Sequence, residues 1–360
     1  MKMLMAYNFT TEEAHVESPN FYRACAEQVF PELGVETTFL PNLRKSLLFR
    51  FLAFARFRKD TALTVAVTWW IFTNGNKFDV IVGWVGNGII AAVLRHFLRW
   101  PSTRVCIILY KLPDEKGRGL IQTCKRLLIN TASRGGDLLL ALDTYQADSF
   151  AKILKRKAGT TKRLIYGVDT DWYDSRVQHL PQRTVPMSIF FPGSAHRDDV
   201  TFERAIRDLN VQVKKFQVDG TRVFSVISST VGRASMETNS NATYFHYLTE
   251  CRAATVVVIS VANADKPVGL TALLECMALG RPVIITRGAS SRDYVRDGVT
   301  ALLFEEGNSQ ELQRKIIFLF EHPEVAKQIG AAARKSVRTE FGLKTCGQYF
   351  FKQLNEMKNA

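Results

Sequence analysis

The 360-residue sequence lacks the signatures of several protein classes. Its six cysteines are scattered without Cys-x-x-Cys pairs or metal-site spacing, which favours reduced thiols in a cytosolic setting. No apolar stretch reaches the roughly 18–20 residues that span a bilayer, and the opening residues have the pattern of a first strand rather than of a signal peptide. We therefore expect a globular protein in the cytoplasm, either soluble or peripheral on the inner face of the plasma membrane.

Signatures of several kinds of catalytic site are also missing. The six histidines are widely scattered, and no Ser–His–Asp or Cys–His arrangement indicates a nucleophile. No His, Asp or Glu cluster has the spacing of metal ligands, so we expect neither a metal nor a resident cofactor. The sequence also contains no internal repeat and no low-complexity tract.

Positive charge is in excess and unevenly placed. The chain has 48 Lys and Arg against 34 Asp and Glu, a net charge of +14. Residues 1–166 hold 24 of these basic residues and 13 of the acidic ones, which leaves +11 in the first half. An anionic membrane surface or a nucleic acid would match this charge. Because no DNA or RNA motif is present, we expect no nucleic-acid partner.

A basic, aromatic segment stands out in the first half. Residues 43–59, LRKSLLFRFLAFARFRK, combine six Arg and Lys with leucines and phenylalanines over most of a helical circumference. Such a helix can lie in a lipid interface, with arginines on headgroups and rings in the acyl boundary. The alternative is a core helix whose arginines reach outward. The next segment, 61–72, is predicted as a buried strand or helix.

Short apolar segments alternate with longer amphipathic ones through the first half of the chain. Alternation of this kind predicts a doubly wound α/β sheet, with ligands beyond the carboxyl ends of the strands. The predicted strands are 4–7, 35–40, 78–85, 104–110 and 137–142, and the predicted helices are 20–33, 86–100, 119–133 and 146–157.

A strand–loop–helix pattern in the second half of the chain contains the residues that best indicate a ligand. The apolar strand 255–260 is followed by a polar loop, Gly269, a helical stretch and Gly280. The start of such a helix is an anion site, and Thr271 can cap it or offer its hydroxyl to a phosphate. Glu275, one turn further, can accept two hydrogen bonds from a ribose diol, so the pattern predicts a nucleotide. The alternative is an ordinary βαβ unit with a solvated glutamate.

The same stretch resembles a known family. Residues 269–285, GLTALLECMALGRPVII, are similar to the GL-x-x-LE-AMA-x-G-x-PVI motif of the retaining, GT-B-fold glycosyltransferases of family 4. The resemblance implies two Rossmann-like domains facing a central cleft. It also implies transfer of a hexose, with retention and without a metal, from a nucleoside diphosphate sugar, most often of UDP or GDP. A polysaccharide, glycolipid or lipid-linked carbohydrate of the cell envelope would be the acceptor.

The resemblance also implies which residues bind the donor. Glu275 would bind the ribose of the sugar nucleotide. Donors to its diphosphate would come from Gly269, Leu270 and Thr271.

Further site residues follow from the family pattern. Asp265 is the nearest acidic residue to the place of the family's first glutamate, which contacts the donor sugar. Gly193 and Ser194 stand at the positions of the family's glycine–arginine pair, which binds the diphosphate, so serine replaces arginine here. Arg197 falls on the family's phosphate-binding lysine, and as a guanidinium it can bind a phosphate bidentately.

Domain limits follow from composition and from a second similarity. The segment 163–174, RLIYGVDTDWYD, resembles the segment that closes the family's first domain. We therefore predict an acceptor-side domain at 1–175, a linker at 176–186 with two prolines, a nucleotide-sugar domain at 187–342, and a terminal helix at 343–360 that can cross to the first domain.

Two other functions fit the same motifs. A nucleotide-sugar epimerase of the same fold would also use Glu275 and the anion site, and would add an acid/base pair. A catalytically degenerate partner subunit would keep the fold and the basic surface while losing family residues.

Overall fold

Two compact units make up the protein. The computed structural model describes residues 1–6, 20–55, 59–110, 120–181, 185–193, 196–218, 224–230 and 233–360. Unit 1 comprises 1–13, 22–165 and 347–360, and unit 2 comprises 14–21 and 166–346. No described helix is long and apolar enough to cross a membrane.

The first boundary between the units falls at residue 165 rather than at the predicted 175. The backbone N–H of Tyr166 donates to the Tyr294 hydroxyl at 3.0 Å, and Val168 forms a parallel bridge with Gly342. These contacts attach the segment to unit 2. The segment 176–186, predicted as a linker, also belongs to unit 2.

Unit 1 contains a parallel sheet. Its described strands have the order β2-β1-β3-β4-β5-β6. They are β1 (Lys2–Ala6), β2 (Glu36–Phe39), β3 (Val80–Trp84), β4 (Arg104–Leu109), β5 (Leu138–Ala141) and β6 (Thr161–Arg163). The helices are α1 (Phe21–Ala24, continued by a π-helical turn at Cys25–Val29), α2 (Leu47–Phe54), α3 (Lys59–Asn74), α4 (Val85–Leu98), α5 (Leu120–Gly135) and α6 (Thr144–Ile153), with 3₁₀ turns at Pro31–Leu33, Leu43–Lys45 and Gly75–Lys77.

The first five strands form where the sequence predicts them, whereas β6 (TKR) was not predicted. β2 is mostly polar (ETTF), but β4 after Arg104 and all of β5 are apolar without interruption. Such runs suit a parallel sheet that helices cover on both faces. In β4 and β5 every residue except Arg104 is buried. Burying each large apolar side chain contributes about 1.5–3 kcal/mol.

The segment 43–59 is not one helix. A 3₁₀ turn at Leu43–Lys45 is followed by Ser46, whose hydroxyl accepts the N–H of Phe49 at 3.2 Å and so starts α2. Residues 56–58 lie outside the described part of the chain. The segment 61–72, predicted as a buried strand or helix, forms most of α3, but it is buried on one side only, since Trp69 and Phe72 are 58% and 44% exposed.

Unit 2 contains a mixed sheet in the order β10-β9-β8-β7-β11-β12-β13, in which β8, β9 and β10 pair antiparallel and the other neighbours pair parallel. Its strands are β7 (Val185–Pro192), β8 (Gln212–Val218), β9 (Phe224–Thr230), β10 (Arg233–Ala242), β11 (Ala254–Ile259), β12 (Val283–Thr286) and β13 (Leu302–Phe304). Its helices are α7 (Thr170–Val177), α8 (Asp199–Ile206), α9 (Tyr244–Ala253), α10 (Leu270–Ala278), α11 (Ala289–Arg292), α12 (Ser309–Glu321) and α13 (Pro323–Glu340). The last helix, α14 (Leu343–Asn359), belongs to unit 1 from Gly347 onward.

The strand order of each sheet reverses at one position. In unit 2 the reversal lies between β7 and β11, because β8 is on one side of this pair and β12 on the other. In open α/β sheets, ligands bind beyond the carboxyl ends of the strands at such a reversal. A ligand of unit 2 is therefore expected at the loops after Pro192 and Ile259.

Candidate functional site

The loops that follow β7 and β11 pair with each other. The N–H of Asp198 donates to the carbonyl of Ser260 at 3.0 Å, and the N–H of Ala262 donates to the carbonyl of His196 at 2.9 Å. Between these bonds, Arg197 forms an antiparallel bridge with Val261. This pairing places Arg197, which follows β7, next to the N-terminus of α10, the helix that follows β11.

The guanidinium of Arg197 packs between two glycines. Its Nε donates to the carbonyl of Pro192 at 2.7 Å. A Cβ at Gly193 would lie 2.4 Å from Nη2, and a Cβ at Gly269 would lie 3.3 Å from Nη1. Burial lowers the pKa of Arg197, but a guanidinium keeps its charge. The sequence-predicted residues Gly193, Arg197 and Gly269 thus lie together around one fixed positive charge.

The N-terminus of α10 adds to this positive charge. Gly269 is its N-cap residue, with φ +84°, and no side chain caps the helix. The first N–H groups of a helix, here those of Leu270 and Thr271, have no intrahelical partner and carry the positive end of the dipole. Thr271 is exposed in the first turn, so its hydroxyl can reach a ligand. The positive charge of Arg197 and the first N–H groups of α10 together suit an anionic ligand.

Glu275 lies one turn further along α10 and is only 5% exposed. Its Oε1 accepts a hydrogen bond from the Tyr244 hydroxyl at 2.7 Å, and that hydroxyl lies 2.7 Å from the hydroxyl of Tyr173. Burial raises the pKa of Glu275, while hydrogen bonds from tyrosine hydroxyls, that of Tyr244 first, act in the opposite direction. The alternative of a solvated glutamate is therefore wrong.

Aromatic rings surround the carboxylate. Tyr244 and Tyr247 stack with their centroids 5.2 Å apart and their planes 9° apart, and the ring of Trp172 lies 6.0 Å from that of Tyr244. Burial raises the pKa of Tyr173 and of Tyr247, so both hydroxyls stay protonated and can donate. The sequence predicts the tyrosines of α9 only as packing residues. Their spacing of about one helical turn is the signal that both can face one neighbour, which is Glu275.

The remaining predicted site residues are Asp265 and Ser194. Asp265 is exposed on the loop between β11 and α10. This loop is held by Glu306, whose carboxylate accepts the N–H of Asn263 at 2.7 Å and that of Ala264 at 3.1 Å. Ser194 lies outside the residues that the structure describes. Within the described ranges, no group of three or more His, Cys, Asp or Glu side chains could hold a metal ion.

Comparison of the sequence with known proteins places the part of this site on α9 and α10 in a recognised segment, while Gly193 and Arg197 lie outside it. Residues 243–336, which include α9 and α10, match the family Glycosyl transferases group 1. A trehalose synthase of Pyrococcus horikoshii is 38% identical over 73 residues, which are 20% of this chain and 17% of that protein. EpsD of Bacillus subtilis is 33% identical over 79 residues, 22% of this chain and 20% of EpsD. The matches therefore span about a fifth of the length of these curated relatives.

Solved structures resemble the chain over its whole length. The α,α-trehalose 6-phosphate synthase of Burkholderia multivorans has a TM-score of 0.67 at 11% identity, with 100% of this chain and 99% of that chain covered. Anabaena HepE in complex with UDP-glucose has a TM-score of 0.66 at 17% identity, with 99% and 100% covered. At such identities the likeness shows the fold, which is the pair of Rossmann-like α/β units of the GT-B glycosyltransferases.

Proposed function

We propose that the protein is a glycosyltransferase that moves a hexose from a nucleoside diphosphate sugar to a hydroxyl acceptor. The observation that carries this proposal is the anion site formed by Arg197 and the start of α10, with the buried Glu275 one turn further. A nucleotide carries its ribose next to its phosphates, which suits phosphate ligands and a ribose ligand about one helical turn apart. The match of 243–336 to Glycosyl transferases group 1 supports the same function, and UDP or GDP is the nucleotide we propose.

The anion site suits the departure of a diphosphate. Transfer breaks the bond between the anomeric carbon and a diphosphate oxygen, on which negative charge develops. The acceptor oxygen forms the new bond to the anomeric carbon, and its proton passes to the departing diphosphate or to water. The guanidinium of Arg197 and the N–H groups of Leu270 and Thr271 would stabilise that charge. Because these groups already supply positive charge, we propose that transfer needs no metal. We propose retention of configuration, as in family 4.

The remaining predicted residues have proposed roles around the same ligand. Gly193 and Ser194 would lie against the diphosphate, and Asp265 would contact the donor sugar. Glu275 would accept the ribose hydroxyls. Tyrosine hydroxyls, that of Tyr244 at 2.7 Å first, already take up part of its acceptor capacity, but a carboxylate has about four acceptor positions, so a position would remain for a ribose hydroxyl.

We also propose that the acceptor is presented at an anionic membrane, as a lipid-linked carbohydrate or glycolipid of the cell envelope. On α2, the side chains of Leu47, Phe51 and Phe54 are 83%, 67% and 88% exposed, and Arg50 on the same helix is exposed. Such rings can enter the acyl boundary while the arginine meets lipid phosphates. This surface would hold the enzyme on the cytoplasmic face.

Vesicle co-sedimentation tests the membrane proposal. The protein should bind vesicles that contain phosphatidylglycerol more strongly than vesicles of phosphatidylcholine alone. The double variant Phe51→Ser/Phe54→Ser should lose most of this binding, whereas Phe318→Ser, on the exposed face of α12 in unit 2, should not. Equal binding by both variants would refute the role of α2.

A thermal-shift panel of UDP-, GDP- and ADP-sugars tests the function. One nucleotide class should raise the melting temperature of the wild type, and Glu275→Ala should abolish the rise. The first-formed anomer of a transferred sugar, followed by NMR, then tests retention. If no sugar nucleotide stabilises the protein at millimolar concentration, the donor site is refuted and a non-catalytic partner subunit becomes the better description.

A further inference from the structure

Unit 1 contains a cavity at the edge of its sheet where the strands begin. Its volume is about 1100 Å³, and its walls include Arg104 and Leu138, the first residues of β4 and β5. The loop after α6 and the last turns of α14 complete it. Ligands of doubly wound sheets bind at the other edge, beyond the carboxyl ends. The cavity therefore needs an explanation of its own.

The walls of this cavity are strongly basic. Six basic residues line it: Arg104, Arg134, Lys155, Arg156, Lys157 and Lys162. Two acidic residues, Asp137 and Glu356, also line it, and they form ion pairs with Arg104 at 3.2 Å and with Lys162 at 2.7 Å.

Several of these cations remain without a carboxylate. Arg134, Lys155 and Lys157 form no ion pair with any described residue, and all three are exposed. They are therefore available to an anionic ligand that enters the cavity.

Arg156 is a fixed cation in the cavity wall. Its Nη1 donates to the carbonyl of Ser133 at 2.7 Å, and its Nη2 donates to the carbonyls of Gly136, Asp137 and Thr160 at 3.0 to 3.2 Å. These carbonyls hold the guanidinium in place without neutralising it. A half-buried charge held in this way is stabilised by an anion nearby.

The loop that carries two of the lysines has an unfavourable backbone. Lys155 comes directly after Leu154, the C-cap residue of α6, and has φ +49°, in the left-handed region where helices commonly end in glycine. A side chain there is disfavoured by contact between Cβ and the backbone. A lysine at a position that suits glycine agrees with a use for its charge.

A buried acceptor also lines the cavity. Gln353 is 3% exposed, and its Nε2 donates to the carbonyl of Arg163 at 2.8 Å. Its Oε1 has no hydrogen-bond partner among the described residues. Leaving a buried amide oxygen without a donor is costly, but Oε1 is itself shielded from water-sized groups, so a ligand hydroxyl would supply the missing hydrogen bond only after the Gln353 side chain rotates toward the cavity.

We propose that this cavity binds a phosphorylated carbohydrate. Phosphate groups would bind Arg134, Lys155 and Lys157, with Arg156 behind them, and a sugar hydroxyl would donate to Oε1 of Gln353. The volume lies slightly above the usual range of about 300–1,000 Å³ for small-molecule sites, so a sugar with two phosphates fits. The site lies within unit 1 and does not depend on the donor site proposed for unit 2.

Calorimetric titration with fructose 1,6-bisphosphate, pyrophosphate and fructose tests this site. The bisphosphate should bind most tightly, pyrophosphate less tightly, and fructose not measurably. The same binding in Glu275→Ala would separate this site from the sugar-nucleotide site. No binding of the bisphosphate at millimolar concentration would overturn the proposal.

Two substitutions sharpen the test. Lys155→Gly should raise the melting temperature, since it relieves the left-handed residue, and weaken bisphosphate binding about fivefold to tenfold. Arg99→Gly is the matched control, because Arg99 is also exposed, basic and left-handed, with φ +48°, but lies outside the cavity. Its affinity should equal that of the wild type. Equal losses in both variants would show only nonspecific attraction.

The role of Gln353 needs a different comparison. Gln353→Met removes the acceptor and nearly keeps the volume of the side chain. Binding of the bisphosphate should weaken, while binding of pyrophosphate, which has no sugar hydroxyl, should not change. Equal effects on both ligands would refute the hydroxyl contact.

Discussion

The hydrogen bond from Tyr244 to Glu275 can be tested by Tyr244→Phe. The substitution removes one hydroxyl and leaves the ring, which stacks on Tyr247, in place. A buried carboxylate then loses a charge-assisted hydrogen bond, whose loss costs about 1.5–3 kcal/mol when the carboxylate is ionised. When Glu275 is protonated, the bond lost is an ordinary one, worth about 0.5–1.5 kcal/mol.

The cost should therefore depend on pH. Burial raises the pKa of folded Glu275 above its unfolded value, so the wild type gains stability from this group as pH falls and loses it as pH rises through the folded pKa. Tyr244→Phe removes a hydrogen bond that lowers the pKa of Glu275, so this pKa should rise further in the variant. The destabilisation by Tyr244→Phe should be about 1 kcal/mol larger at pH 8 than below the ordinary glutamate pKa of about 4.3.

Urea unfolding of both proteins across this pH range measures the difference. The control is the same substitution in a Glu275→Gln background, in which no carboxylate titrates at this position. There the cost of Tyr244→Phe should not change with pH. A cost independent of pH in the wild-type background would refute the assignment of Tyr244 as the donor that stabilises ionised Glu275.

Further predictions concern the anion site. Arg197→Lys should weaken binding of the stabilising sugar nucleotide by about tenfold, since an ammonium cannot make the two parallel bonds of a guanidinium, and calorimetry at two salt concentrations checks this. Gly193→Ala should destabilise the protein by about 1–3 kcal/mol, because φ is +86° and the new Cβ would meet the guanidinium of Arg197, as thermal unfolding would report. Thr271→Val should keep the stability of the helix, since Gly269 and not Thr271 is the N-cap residue, but reduce nucleotide affinity about threefold to tenfold in the same titration.

Local patterns in the sequence were sufficient for the elements that position the site. The apolar run of β11, followed by Gly269 and the amphipathic α10, predicted both the strand–helix start and the location of Glu275 within it. Short, largely apolar segments likewise predicted the first five strands of unit 1, although β2 (ETTF) is mostly polar. These features depend on neighbours in sequence, and periodicity reports on such neighbours directly.

Contacts between distant segments could not be predicted in this way. The hydroxyl network of Glu275 joins α10 to Tyr244 on α9 and Tyr173 on α7, and no local pattern links these helices. The placement of Arg197 between Gly193 and Gly269 depends on hydrogen bonds between two loops that are more than 60 residues apart in sequence. The break in 43–59 had a local signal, Ser46, whose capping role was hidden by the apolar residues around it.

A crystal structure of the protein with UDP would test the central claim most directly. The diphosphate is predicted to accept hydrogen bonds from Arg197 and from the N–H groups of Leu270 and Thr271, with the ribose hydroxyls on Glu275. UDP bound at any other place, or a ribose that makes no contact with Glu275, would contradict the account.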